Sequence, residues 1–521
     1  MPDYIYMLES RLSPEQTAVL NRVQQEAQDA GLNVYLVGGA VRDLMTGAPI
    51  RDLDFVFEGN PLRLVRRLSE KPLLHLQVND HLRSAELVLA NGVSLSLEMA
   101  RSETFHQPGK APEVKIAPIL DDLRRRDLTL NAMGISLTPG SRGLLLDPTN
   151  GLADIENHEL RILHNYSFLH DPIRILRLVR FTARLSYKPE TRTREQFSLA
   201  LERGYADYIE SASLGREMEQ IAREENVVAV LKALQERELL AAFHPRLQKR
   251  KPDYDGLAKF QKYRQQAEEA DYFFDPFHTV MHYVLRRLSG GEALRLLRKL
   301  GAKKTVMKQI ESVAAEGRKL VRSLGRLRPG RPKQVYGLLT PVPVERLIFA
   351  LAEYSSRQTV QAKIHNYLFK YRPLRKRLPV RELQLMGVAT GPKFDQILEQ
   401  FFAAQLDGKV RSRPQQLRFL RNAAGLPKPV PKQEEHPKEK EPAAFKDAAG
   451  RPTPAPPPAK AAAGKPEPAG QKAAVPGRKV EPKARKPAQR RPGKSKVKPK
   501  SRSASPSKKK KAAKKKGKKR S

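Results

Sequence analysis

Two carboxylates and a glycine pair set the chemistry open to this chain. Asp52 and Asp54 lie two residues apart in RDLDFVF, a stretch of strand-forming residues, so both side chains leave one face of the strand. Two carboxylates on a rigid face can hold a pair of Mg2+ ions, because hard cations take several oxygen ligands and accept phosphates as the rest. Upstream, VYLVGGAVRDLM reads as a short strand that breaks at Gly38-Gly39 and continues as a helix. The glycines permit a tight turn and let backbone N–H groups approach a polyphosphate with no Cβ in the way, so the helix start becomes an anion site. A turn at Thr46-Gly47-Ala48-Pro49 returns the chain to the aspartate strand. Glycine turn, helix start and paired carboxylates in this order suit nucleotidyl transfer.

The elements that position these groups are legible as patterns. Residues 14–30 carry Val19, Leu20, Val23 and Ala27 at helical spacing and stop at Gly31, which predicts an opening helix. A second helix is predicted from Pro61 to Leu68, and strands over Leu74–Val78, Ala85–Leu89 and Val93–Met99. Together they make a small antiparallel or mixed sheet backed by helices. From about 192 to 425 the chain reads as helices with basic outer faces. There Lys303, Lys304, Arg318, Lys319, Arg322, Arg326 and Arg328 are candidate phosphate contacts for RNA, and each also suits a solvated surface. His278 and His282 are four apart, but no Glu stands between them as in a zinc-protease helix, and no metal site is predicted.

A length of 521 residues allows two to four domains, and a formal charge of +41 predicts a polyanionic partner, most simply nucleic acid. The segment after Leu426 holds 31 Lys+Arg and 7 Asp+Glu, a net of +24, which leaves +17 for the first 426 residues. Nucleic-acid binding therefore does not rest on the tail alone. That tail is rich in Pro, Ala and Lys with almost no aliphatic anchors, so it cannot bury enough surface to offset its chain entropy and is predicted to be disordered. Cysteine is absent, which removes disulfides and thiolate metal sites and fits a reducing cytoplasm. The N-terminal residues lack a basic region followed by an apolar core, and no apolar run reaches bilayer-spanning length. The expectation is a cytoplasmic chain with no membrane partner; the sequence leaves its oligomeric state open.

GGAVRD followed by RDLDF resembles the head of the tRNA nucleotidyltransferase and bacterial poly(A) polymerase family, within the polymerase-beta-like nucleotidyltransferases. ARSETF at 100–105, RRDLTLNAM at 125–133, DPTNGLADI at 147–155 and DPIRILRLVRF at 171–181 follow in the family's order, so the resemblance covers about residues 31–245. It implies an α+β fold: a nucleotidyltransferase head at 1–146, a helical neck with a nucleotide-recognition helix at 147–245, a helical RNA-binding body at 246–425 and a disordered basic tail at 426–521. It also implies a Mg2+-dependent enzyme that adds CMP or AMP, from CTP or ATP, to an RNA 3′ end. The tRNA CCA end is the first expected substrate and poly(A) addition the second.

On this resemblance Asp52 and Asp54 hold the metals, while Gly38, Gly39 and Arg42 cradle the triphosphate. Arg125 and Arg126 take its oxygens through their planar forks, and Asp127 and Asn131 read ribose hydroxyls. Asp171 and Arg174 read the base, and Arg177, one turn on, also belongs to the nucleotide-binding set. Taken by themselves, Asp171-Pro172 also reads as a helix N-cap followed by a first-turn proline, Arg174, Arg177 and Arg180 as a basic stripe on one helix face, and the DPTNG turn as the joint between head and neck. Two residues depart from the family pattern. Ser96 stands where a third carboxylate is expected, five residues before Arg101; Glu98, on the same strand face, either replaces it at the metals or faces solvent. His170 stands where the family often has Glu. These departures sustain a second reading, an RNA-binding protein on the same fold with weakened catalysis.

Overall fold

The computed structural model describes residues 3–68 and 73–427. Two helices, α1 (Tyr4–Arg11) and α2 (Pro14–Asp29), lead into strand β1 (Val34–Val37), helix α3 (Gly39–Thr46), strand β2 (Asp52–Phe57) and helix α4 (Leu62–Leu68). Strands β3 (Leu73–Asn79), β4 (Ser84–Leu89) and β5 (Ser94–Met99) follow, then a hairpin of β6 (Arg101–Thr104) and β7 (Glu113–Ile116). Helix α5 (Ile119–Arg124), strands β8 (Gly134–Ser136) and β9 (Leu145–Leu146), and helices α6 (Gly151–Glu156), α7 (Ser167–His170) and α8 (Ile173–Leu185) complete the part that builds the site. Seven strands form one sheet in the order β3-β4-β5-β2-β1-β8-β9. Within this sheet only β2 and β5 run parallel; they are joined by a crossover through α4, β3 and β4.

Alternation along β2 and β5 divides the sheet into a packed face and a chemical face. Leu53, Phe55 and Phe57, with Leu95 and Leu97, are fully or almost fully buried in the main core against Val19, Leu20 and Val23 of α2 and Leu64 of α4. The opposite face carries Asp52, Asp54 and Val56 on β2 and Ser94, Ser96 and Glu98 on β5, held in register as Asp52 with Ser94, Asp54 with Ser96 and Val56 with Glu98. At one end of this second face a small apolar cluster forms from Tyr35, Val37, Val56, Ala100, Ile119 and Leu123. The carboxylates lie beyond that cluster.

The predicted opening helix is present and begins with a capping box in which Ser13 and Gln16 bond each other's backbone. The three predicted strands appear within two residues of their expected ends. Helix α1 and the β6–β7 hairpin were not among the expectations, because runs of four to eight residues carry too few periods to stand out. The DPTNG turn works as its residue types imply: the carboxylate of Asp147 accepts from the backbone N–H of Gly151 at 2.7 Å and of Leu152 at 2.9 Å, and Asn150 takes a left-handed φ of 59°. A Cβ on Gly151 would stand 2.3 Å from the carbonyl oxygen of Thr129. Gly151→Ala should therefore lower stability by roughly 1–3 kcal/mol, read as a fall in the urea midpoint.

Apart from the short strand Lys188–Pro189, the regular elements from α8 to Arg413–Ala424 are helices, and the main core runs from Ile5 to Leu368, so the sheet and these helices share it. A smaller cluster around Phe394, Ile397 and Phe401 closes the described part. No single helix among the described residues is long and apolar enough to cross a membrane. Residues 428–521, where the disordered tail is predicted, lie outside the described residues.

Candidate active site

The glycine turn is built where a buried strand must release its chain. All four residues of β1 are buried, and Gly38 then takes φ 66°, ψ −125°, a conformation that side chains resist. Its N–H donates to the carbonyl of Met133 at 3.2 Å. Helix α3 starts at Gly39, and no side chain caps it, which leaves its first N–H groups facing outward. A Cβ on Gly38 would lie 3.0 Å from Nη1 of Arg126 and 3.8 Å from Oδ2 of Asp54, and one on Gly39 would lie 3.8 Å from that same Asp54 oxygen. Turn, carboxylate and guanidinium thus converge on one point. Gly38→Ala should cost roughly 1–3 kcal/mol of backbone strain and push Arg126 aside, and melting curves compared with a Gly39→Ala control check it.

Asp54 is half-buried and Asp52 exposed. The hydroxyl of Ser96, directly across on β5, donates to Oδ1 of Asp54 at 2.8 Å. Burial first, and then the charge of Asp52, push the Asp54 carboxyl up to about 6; Glu98 adds to the rise, while Ser96 and Arg126 oppose it. The fold thus gathers negative charge that its own cations leave uncompensated, and a divalent cation fits that pair. Glu98 is turned elsewhere: its carboxylate meets Nη1 of Arg101 at 3.2 Å. Among the described residues no group of three or more His, Asp or Glu side chains gathers around a single point. The structure therefore brings together Asp52, Asp54 and Ser96, with Glu98 drawn off by Arg101.

The arginines sort into one with a free arm and several that are fully engaged. Asp122, completely buried in α5, receives Nε of Arg125 at 3.0 Å on one oxygen and Nη2 of Arg126 at 3.0 Å on the other, and also accepts from the Arg101 N–H. Burial pushes the Asp122 carboxyl up, but Arg126 and Arg125 outweigh it and hold it below the ordinary range. Arg126 keeps Nη1 for the glycine turn. Nε of Arg125 also donates to the Arg101 carbonyl at 2.9 Å, its Nη2 donates to the same Asp122 oxygen and its Nη1 to Glu103 at 2.9 Å, and Glu103 also takes Nε of Arg101 at 2.9 Å. Arg42 is buried too, with Nε on Asp43 at 2.9 Å and Nη1 on Oδ1 of Asn131 at 2.7 Å. Asn131 in turn donates to Asp127 at 2.9 Å. Burial pushes the Asp127 carboxyl up, yet Arg177, Asn131 and Arg174 together hold it below the ordinary range.

Helix α8 is pinned by charge on nearly every turn. Asp171 ends α7 rather than capping α8, which begins at Ile173 with no side-chain cap, because the Asp171 carboxylate turns to Nε of Arg174 at 3.4 Å. Arg174 is buried and donates to Ser167 and to the carbonyl of Arg125, both at 2.9 Å. Arg177 spans Asp127 and Glu217 at 3.5 Å each, and Arg180 is buried between Glu217 at 2.7 Å and Glu224 at 2.8 Å. The expected basic stripe is therefore turned inward onto carboxylates. Arg184 closes the circuit on Asp43 at 3.2 Å, so α8 is tied directly to the glycine-turn helix. His170 stacks on Phe105 and on Tyr166, and burial together with Arg174 lowers its pKa, which leaves it uncharged at neutral pH.

Residues 34–161 match the model of the poly A polymerase head domain. The chain is 37% identical over 189 residues to an A-adding tRNA nucleotidyltransferase of Halalkalibacterium halodurans, covering 36% of this chain and 44% of that protein. Its head is thus similar to that of the tRNA nucleotidyltransferases and poly(A) polymerases. It is also 38% identical over 180 residues to a CC-adding tRNA nucleotidyltransferase of Deinococcus radiodurans, covering 34% of this chain and 48% of that protein. An A-adding tRNA nucleotidyltransferase of Geobacter sulfurreducens aligns over 428 residues at 24% identity, 80% of this chain and 48% of that protein. The chain spans less than half the length of these curated relatives. The head match takes in the glycine turn, both aspartates and the Arg125–Arg126 pair, and ends before α7 and α8.

The sequence assigns no positioning role to three residues that hold the arginines: Asp122, Glu103 and Asp43. Asp122 had a signal, since it stands three and four residues ahead of the arginine pair, the spacing of helical ion pairs. Further along, Lys303, Lys304, Arg318, Lys319, Arg322, Arg326 and Arg328 are all exposed on or beside the helix Lys304–Arg326, and none forms an ion pair among the described residues. His278 lies 3.9 Å from a Glu345 oxygen, whereas the ring of His282 packs edge-on against Tyr283 and Phe349.

Proposed function

We propose that the chain is a template-independent nucleotidyltransferase that adds CMP, AMP or both, from CTP and ATP, to an RNA 3′ end, with the tRNA CCA end as substrate. The observation that carries this reading is the meeting of Asp54, which shares its strand face with Asp52, with the glycine turn and the free Nη1 of Arg126. In the reaction the RNA 3′ oxygen attacks the α-phosphorus and the bond to pyrophosphate breaks. The N–H groups at the start of α3 and Nη1 of Arg126 hold the triphosphate from two sides. Asp52 and Asp54 would hold Mg2+, which when bound would lower the pKa of the 3′-hydroxyl and neutralise charge on the phosphates. Asp127, kept ionised by Arg177, accepts from a ribose hydroxyl. Asp171 accepts from an exocyclic amine of the base, and Arg174 holds that carboxylate in place rather than reaching the base itself.

In this reading residues 1–146 form the head, 147–245 the neck, and 246–425 a body whose exposed cations on helix Lys304–Arg326 bind RNA phosphates. Relatives named for A addition and for CC addition both resemble the head, so the head alone leaves the nucleotide open. The test offers labelled CTP and ATP, singly and together with Mg2+, to tRNA lacking CCA, tRNA ending in CC, and an unstructured RNA. Short defined additions confined to tRNA support the proposal, and the pattern on the two ends assigns C, A or both. Long A tails on every RNA would replace it with poly(A) polymerase. One observation favours a second reading, an RNA-binding protein with weakened catalysis: Ser96 fills the third-carboxylate position and Arg101 draws Glu98 away. RNA binding without any incorporation is the outcome that would select it.

A further inference from the structure

The rings of Phe105, His170 and Tyr166 form a continuous stack beside α7. His170 lies 5.5 Å from Phe105 at 12° between planes and 5.8 Å from Tyr166 at 28°. Tyr166 ends the row and is 64% exposed, so most of its ring is uncovered. It also belongs to the wall of a cleft of about 110 Å3 between α7 and the helix Thr191–Glu202. Phe168, Leu169 and Leu199 give that cleft an apolar lining, Tyr205 a second ring, and Asn165 and Gln196 two carboxamides that have no hydrogen-bond partner among the described residues. Arg203 is exposed at the rim, where Nη1 approaches the Tyr205 hydroxyl at 3.4 Å, and it forms no ion pair among the described residues.

We infer that this cleft is a docking site for one base of single-stranded RNA, with Tyr166 as its stacking platform. The cleft is well below the roughly 300–1,000 Å3 that encloses a whole ligand, and so takes a planar ring system while the sugar and phosphate stay outside. An exposed aromatic ring that already ends a stack accepts another π-face without regard to sequence. The two carboxamides offer donors and acceptors at the edge of the base, and Arg203 stands where the phosphate emerges. None of the residues lining the cleft belongs to the glycine turn, the carboxylate pair or the arginine cluster. The site therefore holds a base of the RNA and not the incoming nucleotide. It rests on the proposal that RNA is the substrate, and adds a contact that fixes the single strand relative to α8.

The test measures binding of the full chain to a uridine RNA decamer, and to a decamer of the same length with abasic spacers, by fluorescence anisotropy at fixed salt. Tyr166→Ala should weaken the uridine decamer by roughly fivefold or more, with Tyr166→Phe staying within about twofold of the wild type. The abasic decamer should bind more weakly and respond little to Tyr166→Ala. ATP binding should be the same in both proteins. Equal affinity of wild type and Tyr166→Ala for the uridine decamer would overturn the dock while leaving RNA binding intact. A parallel loss of ATP binding would also overturn it, by assigning the stack to the nucleotide site. Failure of the wild type to bind either decamer would remove the RNA reading itself, and the dock with it.

Discussion

Asp54→Asn should reduce nucleotide incorporation by roughly a thousandfold or more while making the metal-free protein more stable at neutral pH. The loss follows from removing charge where carboxylates gather against the glycine turn, from which the proposed metal-assisted transfer would draw several kcal/mol of charge stabilisation. The gain follows from linkage. The Asp54 carboxyl titrates at about 6 in the folded chain against an ordinary 3.8, so the folded state holds this proton more tightly than the unfolded state. Ionising it costs stability as pH rises from about 4 to about 6, and the full cost, at most about 3 kcal/mol, applies above that range. Asn removes the charge and can still accept from Ser96. Urea unfolding in a chelator should show the variant gaining on the wild type at pH 7.5, with the gain shrinking towards pH 4. Equal stability of the two proteins at pH 7.5 would mean that the pair is not electrostatically strained.

Asp122→Ala should be the most damaging single change to the fold of the head, costing about 3–5 kcal/mol, because it strips the shared partner from Arg125 and Arg126 in a fully buried position. Arg125 retains Glu103, but Arg126 loses both of its bonds to protein and with them the orientation that aims Nη1 at the turn. The folded pKa of Asp122 lies below the ordinary 3.8, so its stabilisation is complete above about pH 4 and is lost as pH falls through the folded value. Wild type and variant should therefore differ by a constant amount from pH 5 to 8 and converge only in stronger acid. Asp122→Asn, which keeps hydrogen bonds and removes charge, should fall between them. The checks are urea midpoints across that pH range, with a triphosphate-binding assay on any variant that remains folded.

The parts of the site carried by contiguous residues were legible in the sequence. Two aspartates at strand spacing and a glycine pair between strand and helix each state their local geometry, and alternation in SLSLEM separates Ser96 and Glu98 from the leucines that enter the core. Charges whose partners are remote were not legible. Arg180 finds Glu217 and Glu224, 37 and 44 positions away, and nothing local distinguishes such an arginine from one on a solvated face. The same holds for Arg42 and Arg174, which read as ligands for a nucleotide but are buried and engaged within the fold. Arg126 reads in the sequence just as they do; only the three-dimensional arrangement shows that it alone of these keeps a nitrogen for the turn. Tyr166 gave no signal either, since an exposed ring becomes informative only when its neighbours are known.

The most direct measurement is single-turnover incorporation of labelled CMP or AMP into tRNA lacking its 3′ terminal nucleotides. Wild type and Asp52→Asn are compared at equal RNA occupancy, in Mg2+ and in chelator. Incorporation by the wild type in Mg2+ alone, with Asp52→Asn binding the RNA equally well and incorporating nothing measurable, is the expected result. Undiminished incorporation by Asp52→Asn would contradict the assignment of the Asp52–Asp54 pair as the centre of transfer.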